Sequence, residues 1–248
     1  MSFKDLLKIE FTKIKRGKIL FILIIPILLL WIPAIVNAMG NLRITNGLTV
    51  EQNFLFQSLS SYTWFLLPAT IVICTVMIEQ IEEKNKGLLK MLSLPINISK
   101  ICLAKFVVLI TLIFIQIFTA FLTYFVSVGI SYKLYDYNFL LSISEVIKVF
   151  TLIFITAIPM ATIYWLLAII IKTPIFSVGI GMASIVPSVF MINVSCWYIY
   201  PMDYPFMMIG SMLPNLNYSL IPWIPIALGI SIICLGISCI RFGAVERR

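Results

Sequence analysis

The sequence contains no histidine, and that absence removes much of enzyme chemistry. A Ser-His-Asp triad and an H-E-x-x-H zinc site both need the imidazole. Five cysteines (Cys74, Cys102, Cys196, Cys234, Cys239) are scattered through apolar sequence with no C-x-x-C pair, so they read as small packing residues. No G-x-x-x-x-G-K-S/T segment occurs, so the chain does not cradle a nucleotide itself. No carboxylate lies at the middle of a long apolar run, which argues against proton or sodium coupling within the chain. Nothing in it resembles a channel selectivity filter.

Charge is nearly as scarce. Charged residues make up 11% of the 248, against roughly 25% in soluble domains. Hydrophobic residues make up 61%, and the mean hydropathy is +1.08. A water-soluble core of this size could not bury so much apolar side chain, so the surrounding solvent must be lipid. The basic start runs straight into an apolar run without a small-residue cleavage site, which does not fit a cleaved signal. The net charge of +8 comes from residues beside apolar runs, which favours a membrane over nucleic acid.

What the sequence does have is long apolar runs. About 20 helical residues cross a bilayer. Six spans are predicted: Ile19–Met39, Ser58–Ile78, a run within Phe106–Tyr132, Val146–Ile171, Ile175–Val194 and Leu220–Ile240. Gly40–Gln57 reads as a polar loop, Lys133–Glu145 as a short loop and Lys172-Thr173-Pro174 as a tight turn. Pro26, Pro33 and Pro159 kink their spans or fit against neighbours. Tyr62 and Trp64 read as interface aromatics. Gln116 is expected to make an interhelical hydrogen bond, and Gly179, Gly181, Ala183 and Ser184 to form a close-packing face.

Residues 1–18 are predicted to form an amphipathic helix in the membrane interface. Phe3, Leu7, Phe11 and Ile14 form its apolar stripe, and Lys4, Lys8, Lys15 and Arg16 lie opposite. Glu10 falls at the edge of that stripe. It either pairs with a basic residue, such as one from the 79–105 stretch, or faces headgroup water. Ser195–Ser219 is aromatic, methionine-rich and broken by Pro201, Pro205 and Pro214. It is too irregular to span and too apolar for a free loop, so it reads as a re-entrant or interfacial hairpin.

Charge sets the orientation. Fifteen Lys and Arg fall on the side of the two termini, in 1–18, 79–105, 172 and 241–248, against Arg43, Lys133 and Lys148 on the other. The positive-inside rule then puts both termini in the cytoplasm and Ser195–Ser219 outside.

That places Glu79–Lys105, with eight of the 28 charged residues, in the cytoplasm as the one inside loop large enough to receive a partner. Glu79, Glu82 and Glu83 come first, and Glu82 and Lys86 are spaced i,i+4. Gly87 permits a break. Leu88, Leu89, Met91, Leu92 and Leu94 then make a short apolar helix stopped by Pro95, and Asn97 or Ser99 can cap the next one. Such a helix can plug into a groove on a soluble ATPase; equally, it can be a solvated connector with interface leucines.

Two stretches carry a resemblance. Glu10 with Lys13-Ile14-Lys15-Arg16 precedes the first span. Glu79, then Lys86-Gly87-Leu88-Leu89-Lys90-Met91-Leu92-Ser93-Leu94-Pro95-Ile96, then Lys105, follow the second. The chain resembles type-2 ABC exporter permeases, closest to those of lantibiotic-protection (immunity) transporters and their bacitracin-resistance relatives. The resemblance implies an all-α membrane protein, one permease domain over 1–248, with a connecting helix at 1–18, a coupling helix at about Gly87–Pro95 and a re-entrant outer hairpin within Ser195–Ser219. It also implies an ABC ATPase dimer holding ATP and magnesium, and a second homologous permease as heterodimer partner. Export of antimicrobial peptide from a bacterial plasma membrane is the expected function. Contacts are expected at Trp197, Tyr198, Tyr200, Asp203, Tyr204, Phe206, Met207 and Met208; an aromatic anchor is the other reading of that segment. The same scaffold serves bacitracin, lipids, drugs and sodium, and a non-transporting sensor or anchor subunit is the competing class.

Overall fold

The computed structural model describes residues 3–16, 19–42, 47–85, 98–191, 194–210 and 223–245, and among them every regular element is helical. α1 is Phe3–Arg16 and α2 Ile19–Val36. α3 (Val50–Ser61) runs through a π turn at Tyr62–Leu66 into α4 (Leu67–Asn85). α5 is Ile98–Tyr135, α6 Ile143–Ile170, α7 Pro174–Ala183 and α8 Ser188–Met191. α9 is Tyr204–Gly210 and α10 Trp223–Val245.

Six helical stretches are long and apolar enough to cross a membrane, and this is a multi-pass membrane protein. Their outward faces are apolar: Phe21, Leu29, Ile175, Phe176, Ile232 and Ile240 are all exposed, Ile175 at 85%. In water such a surface would drive aggregation; in lipid it is the ordinary exterior.

α5 and α6 form the centre. α5 packs on α1, α2, α4, α6 and α10, and α6 also receives α4, α7, α9 and α10. At 1.5 Å per residue, the 38 residues of α5 reach about 57 Å, well beyond the hydrocarbon thickness, so both ends project. α2 meets the bundle with Ile19, Leu23, Ile27 and Trp31, one residue per turn.

The second span begins earlier than the apolar run suggests. Thr49 caps α3: its hydroxyl accepts from Gln52 N–H, and the Gln52 side chain accepts from Thr49 N–H. This capping box makes helix of residues 50–57, read from polarity as loop. Thr49→Ala should cost about 1 kcal/mol of stability, measured as a lowered midpoint of thermal unfolding. The π turn lies just before Pro68, which has no N–H to donate and crowds the carbonyl four residues back. Widening the turn, with Leu67 N–H bonded to Tyr62 O, relieves that clash.

Two further expectations are revised. The fifth span is not one smooth helix over Ile175–Val194: α7 starts at Pro174, a residue suited to the first helical position, and breaks into turns at 184–187 before α8. Its small-residue face is used at Gly181, which is buried against Val72 of α4, whereas Gly179 has open space around its Cα. Gln116 does bond another helix, donating from Nε2 to Thr70 Oγ1 at 2.6 Å.

Candidate functional site

One end of the bundle gathers the start of α5 with the ends of α4 and α10. Glu79, one turn and a half before the end of α4, points back into the protein. Its Oε2 lies 3.5 Å from Lys105 Nζ on α5. Lys105 is fully buried, and its ammonium sits over the Phe242 ring of α10, 4.9 Å from the centroid. A carboxylate and an aromatic face therefore stabilise a cation withdrawn from water. The first and last residues of the polar 79–105 stretch are thus held together across α4 and α5. Lys86, Gly87, Leu88, Leu89, Leu92 and Pro95, with the expected coupling helix, lie outside the described residues, as do the side chains of Glu82 and Glu83.

The role of Lys105 and Phe242 is not evident from composition, but one signal for Lys105 was present. The buried stripe of α5 runs Ile101, Lys105, Leu109, Leu112, Gln116, so the lysine occupies an apolar heptad-like position.

α1 packs on α5 with a face that overlaps the expected stripe only at Ile14 and Leu7. Leu6, Glu10 and Ile14 are buried, Leu7 is half-buried, and Phe3 and Phe11 are exposed. The helix thus carries two neighbouring edges, one for protein and one for lipid, about 60° apart. Glu10 is on the protein side, and Lys13 Nζ donates to its Oε1 at 2.5 Å. Among the described residues the pairing is within α1.

At the opposite end, residues 194–210 fold inward. Two 3-10 turns, Trp197–Ile199 and Pro201–Asp203, lead into α9, which packs on α6. Trp197, Asp203, Tyr204, Met207 and Met208 are buried; Tyr198, Tyr200 and Phe206 are half-buried. The ring of Tyr204 lies between Trp197 and Trp223. Trp64 donates from Nε1 to Ser188 Oγ at 2.7 Å, and its ring lies tilted against Phe206, 5.7 Å between centroids. Tyr200 donates its hydroxyl to Ser184 O, and Tyr204 to Tyr198 O. The residues expected to meet a substrate thus point largely into the protein, and any contact by the buried ones requires this segment to move. Residues 211–219 of the expected hairpin lie outside the described ones.

Asp203 lies between spans, and burial pushes its carboxyl up to about 7, with Ser188 opposing the rise. A raised carboxyl pKa means that the folded state holds its proton more tightly than the unfolded chain. This contribution to stability is intact below about pH 4 and is lost as pH climbs through 7. Asp203→Asn should therefore match the wild type near pH 4 and melt a few degrees higher at pH 8, read from unfolding curves in one detergent across that range. Equal curves at pH 8 would show the carboxylate to be solvated.

A family profile described as ABC-2 family transporter protein matches residues 6–188, well over half of the chain. The chain belongs to the ABC-2 transporter family. No curated protein and no solved structure matches it. The matched region includes most of α1 and the Glu79–Lys105 pair. An ABC-2 membrane component works with an ABC ATPase and generally has no catalytic site of its own, in accord with the missing nucleotide motif. The family also implies the bacterial plasma membrane as the location.

Proposed function

We propose that this ABC-2 protein is the permease subunit of an exporter that removes lantibiotic-type antimicrobial peptides from the bacterial membrane, driven by a separate ATPase dimer. The observation that carries the reading is the family match together with the clamp at the foot of residues 86–97. The clamp gives the loop a rigid base. In this reading the clamped end is cytoplasmic, as the excess of Lys and Arg there supports. ATP, with magnesium, binds in the partner. Closure of the partner pushes on Gly87–Pro95, with Glu82, Glu83 and Lys86 as its electrostatic edge. α1 lies in the interface, its Phe3 and Phe11 in the headgroup region. A second homologous permease completes the transporter, as a heterodimer.

Purification of the tagged chain from its native membrane tests the mechanism. The ATPase should co-purify, and reversing Glu82 and Glu83 to Lys should abolish co-purification or transport-linked ATP turnover. A chain that isolates alone, with resistance untouched by those reversals, would identify a sensor or anchor subunit instead. The substrate is tested by deletion: the deletion strain should become more sensitive to lanthionine-containing cationic peptides. One observation favours a second reading. Asp203, the sole acidic residue of the 195–219 segment, is buried, so the surface displayed there is uncharged. That suits a neutral amphiphile, such as a lipid or an uncharged drug, and unaltered peptide sensitivity in the deletion strain would point to it.

A further inference from the structure

The two helices that carry the 86–97 link do not end independently. α4 delivers the chain to it and α5 receives the chain from it, and a push on the link could simply splay the two. The structure opposes that. Lys105 bridges Glu79 of α4 and Phe242 of α10 while fully buried on α5. α10 is otherwise the least enclosed of the spans among the described residues, so a fixed point at its end matters to its register. Cys102 of α5 and Cys239 of α10 also approach each other beside Lys105, which confirms that the two helices are close at this level.

We infer that Lys105 is a positioning residue for energy coupling, which joins α4, α5 and α10 so that a push on the 86–97 link moves all three as one body. This rests on the reading that an ATPase acts through that link. The physical reason is the cost of separating a buried ion from its partners. Sliding α4 away from α5 removes the carboxylate from the ammonium, and sliding α10 removes the ring face. Each leaves charge less compensated in a low-dielectric environment, which is costly. Small independent displacements are penalised, and a concerted displacement is not. A contact of this kind behaves as a two-state element rather than a soft spring.

The test uses the full chain with its partner ATPase in lipid nanodiscs, with the native cysteines replaced and spin labels at Gln80→Cys and Arg241→Cys. ATP plus vanadate is the probe. In the wild-type background the distance between the labels should stay within about 1 Å on trapping, whereas Lys105→Met should let it change by about 2 Å or more. Lys105→Met keeps the length and packing of the side chain. It should remain associated with the ATPase and hydrolyse ATP at close to the wild-type rate. Protection of cells against the sensitising compound should fall by about tenfold, within the usual range for a lost coupling. A merely structural lysine would lower the amount of complex and its activity together, leaving protection per molecule and the label distance unchanged; that result overturns the inference. So does a wild-type distance that shifts on trapping. If Lys105→Met is not recovered, Phe242→Leu reads the same joint: an altered α4–α10 distance on trapping supports it, and an unaltered one overturns it. Failure of the wild-type chain to bind any ATPase is a distinct outcome, which removes the underlying reading and this inference with it.

Discussion

Glu79→Ala should destabilise the bundle by about 3–5 kcal/mol, the usual range for stripping one partner from a buried ion pair. Adding Lys105→Met should return most of that loss. The carboxyl side chain is itself only partly enclosed, so its own removal costs little; the penalty arises because the amine of Lys105 is left without that carboxylate in a site with no exposure. Methionine has similar length and no charge, and it places a thioether over Phe242, a favourable contact. The double variant therefore exchanges a polar joint for an apolar one, which in other buried pairs is close to neutral. The two residues touch, so strong non-additivity is the expected signature. Denaturant or thermal unfolding of the three proteins in one detergent gives the cycle. Additive losses would mean that other groups hold the ammonium and that Glu79 is incidental. The stable but clamp-free double variant is also the natural protein in which to ask whether coupling survives.

How far the sequence alone reaches follows from the solvent. The hydrocarbon interior admits only backbone that satisfies its own hydrogen bonds, so charge-free runs report spans directly. Ile19–Met39 was legible for that reason, and Gln116 was legible because a buried amide needs a partner, found in Thr70. Which face of a helix meets protein and which meets lipid was not legible, because both surroundings are apolar. Phe3, Leu7, Phe11 and Ile14 look like a packing stripe on α1, yet of these only Ile14 is fully buried, beside Leu6 and Glu10. Gly179 and Gly181 are indistinguishable in sequence, yet only the second meets a neighbour. The start of α3 was hidden differently: Thr49 and Gln52 are polar, and polarity was read as loop although their spacing is that of a capping box. Lys105 was assigned to the end of a polar stretch because it is charged, when its position on the stripe of α5 makes it a core residue.

The glycine pair offers the sharpest test of that last distinction between faces. A Cβ built on Gly181 falls 2.6 and 2.9 Å from the two methyls of Val72, which is itself 2% exposed on α4. Valine is branched at Cβ and held to few rotamers in a helix, so its methyls have no easy retreat. Gly181→Ala should cost about 1–3 kcal/mol, and Gly181→Leu more. Val72→Ala in the same chain removes both methyls and should restore most of the stability lost to Gly181→Ala. Gly179→Ala meets nothing within 4 Å and should be neutral or stabilise by up to about 1 kcal/mol through helix propensity. Two identical substitutions two residues apart thus carry opposite signs. The effect should travel beyond stability. Just past Gly181, Ser184 bonds the Tyr164 hydroxyl at 3.1 Å and its carbonyl accepts from Tyr200 of the inward-folded segment. Pushing α7 off α4 at Gly181 shifts that anchor, so Gly181→Ala should expose residues 197–204 to faster hydrogen exchange while Gly179→Ala leaves them protected. Equal exchange and equal stability in the two variants would show that α4 and α7 are not in close contact.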